Sequence, residues 1–112
     1  MNRTEKAALV ETLNKTFSDS TLVVVTHQVG LTVDEVNDLR GKMRSAGARY
    51  KVTKNRIARL ALKGTEYENL DASFTGPTAI ATSEDPVAAA KVAVEFANAN
   101  EKLTIVAGAL GT

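Results

Sequence analysis

Leu9, Leu13 and Phe17 recur at steps of four with Val10 beside them, a spacing that predicts a helix over residues 3–17. Residues 21–27, TLVVVTH, are a continuous β-branched run of strand length, as expected of a strand covered on both faces. Thr32-Val-Asp-Glu35 is a capping box, so a second helix begins at Val33, with Val36, Leu39, Met43 and Ala46 inward and Gly47 as its left-handed stop. In residues 48–53, ARYKVT, the pattern alternates. Ala48, Tyr50 and Val52 point one way and Arg49, Lys51 and Thr53 the other, giving a strand with one packed and one wet, basic face.

A third helix runs from Asn55 to Lys63 with Gly64 ending it, followed by a connector with a short helical turn that closes at Gly76-Pro77. TAIATS, residues 78–83, is the third strand, and Asp85-Pro86 opens the helix VAAAKVAVEFANAN. Its exposed side is marked by Lys91 and Glu95, four residues apart. LTIVAGA, residues 103–109, is the fourth strand. The order α-β-α-β-α-β-α-β predicts an α/β fold in one domain of 112 residues, with a four-stranded, mainly parallel or mixed sheet packed with helices.

Composition removes several functions. The chain has no cysteine, which rules out disulfides and thiolate metal sites, and a reducing compartment suits it. No apolar run is long enough to cross a membrane. His27 is the single histidine, so a histidine metal cluster within one chain is impossible, and no glycine-rich phosphate loop is present. Asp34, Glu35 and Asp38 fall in the first turns of a helix, where its dipole explains them. A small enzyme would have to rest on His27, and no catalytic residue, metal or cofactor is assigned.

Charge placement points elsewhere. The formal net charge is +1, yet Arg40 to Lys63 holds nine Lys or Arg and no Asp or Glu. The other 5 bases stand against all 13 acids, leaving the rest of the chain at a net −8. On a helical wheel Arg56, Arg59 and Lys63 share a narrow arc, with Ile57, Ala58, Leu60, Ala61 and Leu62 assigned to the opposite side. Arg49 and Lys51 occupy the wet strand face, Lys54-Asn55 the turn, and Arg40 and Arg44 the preceding helix. Solvated faces usually mix signs, so a surface for a polyanion is expected, nucleic acid before membrane. Five aromatic residues are too few for a base-stacking platform, which favours phosphate and shape recognition of folded RNA or duplex. The alternative is a basic interaction module that docks an acidic protein partner.

The segments GLTVDEVNDLRGKMRSAGARYKVTKNRIARLAL, FTGPTAIATSEDPVAAAKV and KLTIVAGAL together resemble the N-terminal domain of bacterial large-subunit ribosomal protein ten, the stalk base protein. The resemblance extends over essentially all 112 residues, with Gly30-Leu31-Thr32, Lys54-Asn55-Arg56 and Gly76-Pro77-Thr78-Ala79 in order. It implies a cytoplasmic, ribosome-bound, non-catalytic protein that binds large-subunit (23S) rRNA at the base of the lateral stalk beside ribosomal protein eleven. It also implies repression of its own messenger RNA by the free protein. Acidic stalk protein dimers, which recruit translational GTPases, would bind only through a C-terminal helix for which this chain offers no candidate.

Carried onto this sequence, the family motif falls on Lys51, Lys54, Asn55 and Arg56, and the basic start on Arg3 and Lys6. With the charged arc these give the expected RNA-binding set Arg3, Lys6, Arg49, Lys51, Lys54, Asn55, Arg56, Arg59 and Lys63. Asn55 would supply a directional hydrogen bond at the turn. Thr32 is read as a helix cap. Gln28-Val29 departs from the aromatic and often basic pair that many relatives carry before this Gly-Leu-Thr turn.

Overall fold

Asn2 accepts the Glu5 backbone N–H at 2.8 Å and so caps the first helix, α1 (Arg3–Asp19), in a computed structural model that describes residues 2–111. The stripe that seats α1 is narrower than its spacing suggests: Leu13 and Phe17 are buried, whereas Leu9 is 38% exposed. β1 (Leu22–Gln28) is buried along its first five residues, as its unbroken apolar run requires. α2 (Val33–Ser45) opens on the expected capping box, with reciprocal Thr32 and Glu35 bonds of 3.1 and 3.0 Å. It ends before Gly47, whose φ of 78° is open to glycine without strain. Leu39 and Met43 are buried, while Ala46, expected to point inward, is exposed at the C-cap.

β2 (Ala48–Val52) and α3 (Asn55–Leu62) follow, then a 3₁₀ turn at Glu68–Ser73. β3 (Thr78–Ser83) is buried throughout. Asp85 Oδ1 accepts from the N–H groups of Val87 and Ala88 at 2.8 and 2.9 Å, closing the turn from which α4 (Ala88–Ala99) starts. β4 (Leu103–Leu110) completes the described elements.

The sheet corrects the sequence expectation of a mainly parallel or mixed arrangement. Its order is β2-β3-β1-β4, and every neighbouring pair is antiparallel. Strand β1 and strand β2, joined through α2, do run in the same direction, as do β3 and β4 through α4. Each such pair is separated by one strand of the other pair, so β3 lies between β1 and β2, and β1 between β3 and β4. Two split β-α-β units thus interleave, and interleaving turns parallel partners into antiparallel neighbours. The alternation of helices and strands counts the crossovers but does not reveal what fills the gap each one spans.

Helices cover both faces. Leu22 and Val24 of β1 pack with Leu39 and Met43 of α2 and Val92, Ala93 and Phe96 of α4. Val23 and Val25 pack on the opposite face with Leu13 and Phe17 of α1, Ile57 and Ala61 of α3, and Tyr67 and Phe74 of the connector. Alternate residues of one strand therefore serve two cores.

Glu35 ties the start of α2 to the turn before β4. Beyond its capping bond it accepts from Asn100 Nδ2 and lies 3.3 Å from Lys102 Nζ. The Thr32 backbone bond foremost, then Asn100 and Lys102, hold its carboxyl at about 2, well below the usual 4.5. A carboxylate with a depressed native pKa contributes stability above its unfolded pKa and loses it as pH falls through the native one. The urea midpoint of Glu35→Gln is therefore expected to lie below that of the parent above pH 4.5, and the gap to close as pH approaches about 2. A gap that is constant with pH would show that the carboxylate charge does not matter to this tie.

Candidate nucleic-acid interface

β2 is an edge strand, paired only with β3. Ala48 and Tyr50 belong to the α2/α4 core, so pleating turns Arg49 and Lys51 to the other face, where both are exposed. Val52 keeps 45% of its surface exposed at the end of this strand instead of completing the packed face. An open groove of about 690 Å³ runs beside β2, with Thr12 and Thr16 of α1 on one side and Arg40 and Arg44 of α2 on the other. Arg49, Tyr50 and Lys51 contribute its floor. The Tyr50 hydroxyl donates to Gln28 Oε1. Burial raises the Tyr50 pKa, opposed by Thr26 and by the charge of Arg40 beside it.

The chain then turns at Lys54 into α3. Lys54 occupies the N-cap position, is exposed and makes no side-chain cap bond. Asn55 Nδ2 donates to the Gly76 carbonyl at 2.9 Å, which fastens the start of α3 to the loop before β3. One amide N–H of Asn55, a residue expected to hydrogen-bond at this turn, is thus spent within the protein, while Asn55 Oδ1 is buried without a partner. Arg56 is exposed beside it.

Arg59 is placed differently from its wheel neighbours. Its Nη2 donates to the Phe74 carbonyl at 2.6 Å, and its Nε lies 3.8 Å from Asp71 Oδ1. It braces the 3₁₀ connector against α3 and shares a second groove with Arg56, Lys63, Glu68 and Asp71. Leu60, assigned by wheel to the packed side, is 43% exposed, because at 100° steps it falls only about 40° from Arg56. Arg59→Ala is expected to lower stability by about 1 kcal/mol, a charge-assisted bond discounted for its exposure, whereas Arg56→Ala leaves it within about 0.5 kcal/mol. Chemical denaturation of the two variants decides the matter. Equal midpoints would mean the Phe74 bond carries no stability.

Of the nine expected residues, Arg49, Lys51, Lys54, Asn55 and Arg56 follow one another along the edge strand and the turn into α3. Arg59 lies further along α3 and Lys63 caps its C-terminus, where the Lys63 carbonyl accepts from Asn14 Nδ2 at 3.3 Å. Arg3 and Lys6 are exposed on the first turns of α1, a separate element. Between Arg40 and Lys63, only Lys42 and Arg59 have a carboxylate within ion-pair distance among the described residues, Asp38 at 3.3 Å and Asp71 at 3.8 Å. Seven bases carry no such pair. Arg40 and Arg44 were outside the expected set, although their four-residue spacing just before a basic strand was a signal for them.

His27 stands at the end of β1 with Nε2 buried and unbonded. No group of His, Cys, Asp and Glu suited to a metal ion occurs among the described residues. No helix among them is long and apolar enough to cross a membrane.

Residues 1–98 match the family model described as Ribosomal protein L10. The chain is 60% identical over 110 residues to large ribosomal subunit protein uL10 of Rhodospirillum centenum, covering 98% of this chain and 64% of that protein. It is also 60% identical to the protein of the same name from Paramagnetospirillum magneticum, covering all of this chain and 66% of the relative. The uL10 of Rhodospirillum rubrum is 59% identical over 98% of this chain and 64% of its own length. The chain thus spans just under two thirds of these curated relatives.

Proposed function

This chain belongs to the ribosomal protein L10 family, and on that premise we propose that it is a non-catalytic constituent of the large ribosomal subunit that binds 23S rRNA at the base of the lateral stalk. In this reading it works in the cytoplasm as part of the ribosome, beside ribosomal protein eleven, and supports recruitment of translation factors.

One observation carries the reading. Seven bases between Arg40 and Lys63 stand without an acidic partner among the described residues, while the rest of the chain is net acidic. Unpaired guanidinium and ammonium groups on a rigid edge suit phosphate oxygens, which they meet through short, charge-assisted hydrogen bonds. Arg49, Lys51, Lys54 and Arg56 are the central contacts. Asn55 shapes the turn between them through Gly76, and Arg59 holds the connector while its outer face borders the same surface. Arg3, Lys6 and Lys63 extend the surface at its margins.

Crosslinking the protein to total cellular RNA and sequencing what is bound is expected to return 23S rRNA at one dominant site. If about five phosphates are neutralised, log affinity falls against log salt with a slope of roughly −3.5 to −4.5. A slope near zero, or a nuclease-resistant acidic protein recovered in place of RNA, would overturn the proposal.

A further inference from the structure

We propose that Arg40 and Arg44 of α2 are phosphate-binding residues, and that one strand of RNA backbone lies along the β2 edge between α2 and α1. The inference rests on the rRNA-binding reading above and assigns a path to the bound strand.

The two sides of α2 are treated differently. Lys42, on the side away from β2, has Asp38 at 3.3 Å and its ammonium 5.6 Å from the Phe96 ring centre. Arg40 and Arg44, on the groove side, have no carboxylate within ion-pair distance among the described residues. Apart from each other, their neighbours at three and four residues within α2 are Val36, Asn37, Gly41 and Met43, none of them acidic. Like charges four apart on a helix are destabilising by about 0.2–0.5 kcal/mol, a penalty that one aspartate would relieve. Neutralisation is present on one side of the helix and withheld on the side that faces the groove.

The groove itself has no acid among its lining residues, whereas the α3 groove includes Glu68 and Asp71. Arg40 and Arg44 are separated by about 6 Å along the helix axis, and Arg49 and Lys51 by about 6.6 Å along the strand. Both intervals are of the order of the separation between successive phosphates on one strand. Arg40 and Arg44 form one row on the channel's wall and Arg49 and Lys51 a second along its floor, while Thr12 lines the far wall with Thr16, whose hydroxyl donates to the Thr12 carbonyl.

An edge strand can also receive a further strand from a protein partner. That needs main-chain donors and acceptors open to the newcomer. Ala48 is 4% exposed and Tyr50 7%, which leaves Arg49, Lys51 and Val52 as the residues open along this edge. What the channel presents is side-chain charge, which suits a polyanion that carries its charges on the outside.

The test is filter binding of the purified protein to in vitro transcribed 23S rRNA across a salt series. Arg40→Gln with Arg44→Gln is expected to weaken binding about tenfold and to flatten the salt slope by about 1–2. The charge-preserving pair Arg40→Lys with Arg44→Lys keeps the slope, and Lys91→Gln on α4 changes neither quantity. Arg44→Gln alone gives half the change in slope and serves if the double variant does not fold. Should the Gln pair bind as the parent does while Lys54→Ala with Arg56→Ala binds weakly, the path along β2 is wrong and rRNA binding stands. Should the parent itself show no salt dependence, rRNA binding falls and the path with it. Displacement of the RNA by poly-L-glutamate at equal charge would identify the channel as a site for acidic protein, which also overturns the proposal.

Discussion

Lys54→Ala combined with Arg56→Ala is expected to weaken 23S rRNA binding by ten- to hundredfold while the melting temperature stays within about 2 °C of the parent. Both side chains are exposed where the chain turns from β2 into α3, and neither has an ion pair among the described residues. Folding gains little from them, so removing them removes little. Phosphate contact would gain about 1 kcal/mol or more from each charge-assisted bond. Filter binding at fixed salt, beside a circular-dichroism melt, separates the two quantities. A melting temperature lowered by 10 °C or so would make these residues structural, and unchanged binding would remove them from the RNA surface.

Phe17→Ala carries the largest stability effect, about 3–5 kcal/mol, and on that basis lowers the melting temperature by roughly 10–20 °C. Phe17 is fully buried, its ring tilted against that of Tyr67 at 6.4 Å. Leu13 and Phe17 are the fully buried residues of α1, so the helix is seated chiefly by these two side chains, with Val10 packed beside them and Asn14 donating to the Ala61 carbonyl at 2.9 Å. Tyr67 in turn donates its hydroxyl to the Ser20 carbonyl at 2.5 Å. Deleting the Phe17 ring leaves a cavity between α1 and the connector that these polar ties cannot fill. A loss below about 1 kcal/mol in urea titration would mean the site collapses around the gap.

The sequence is most legible where the physics is local. The Thr32–Glu35 box, the stop at Gly47 and the alternation of Ala48 to Lys51 each depend on neighbours within a few residues, the unbroken apolar run of β1 is itself the mark of a strand covered on both faces, and each is present. Strand direction is not local. Whether β1 lies beside β2 or beside β3 depends on burying both faces of four strands at once, and the periodicity of each strand is the same either way. The candidate site divides along the same line. Arg56 and Arg59 look equivalent on a wheel, yet the Phe74 carbonyl and Asp71 that engage Arg59 come from the connector, twelve or more residues further on. Asn55 meets Gly76 for the same reason. Arg40 and Arg44 join Arg49 and Lys51 only because α2 lies alongside the strand that follows it.

The interleaved sheet has a consequence for synthesis. Strand β1 takes its two neighbours from residues 78–83 and 103–110, so while the chain is being made its valine-rich segment emerges long before anything can pair with it. An unsheltered run of this kind is a template for association between nascent chains. Rapid closure over β1, waiting on elements that leave the tunnel late, makes solubility during translation a matter of timing more than of final stability.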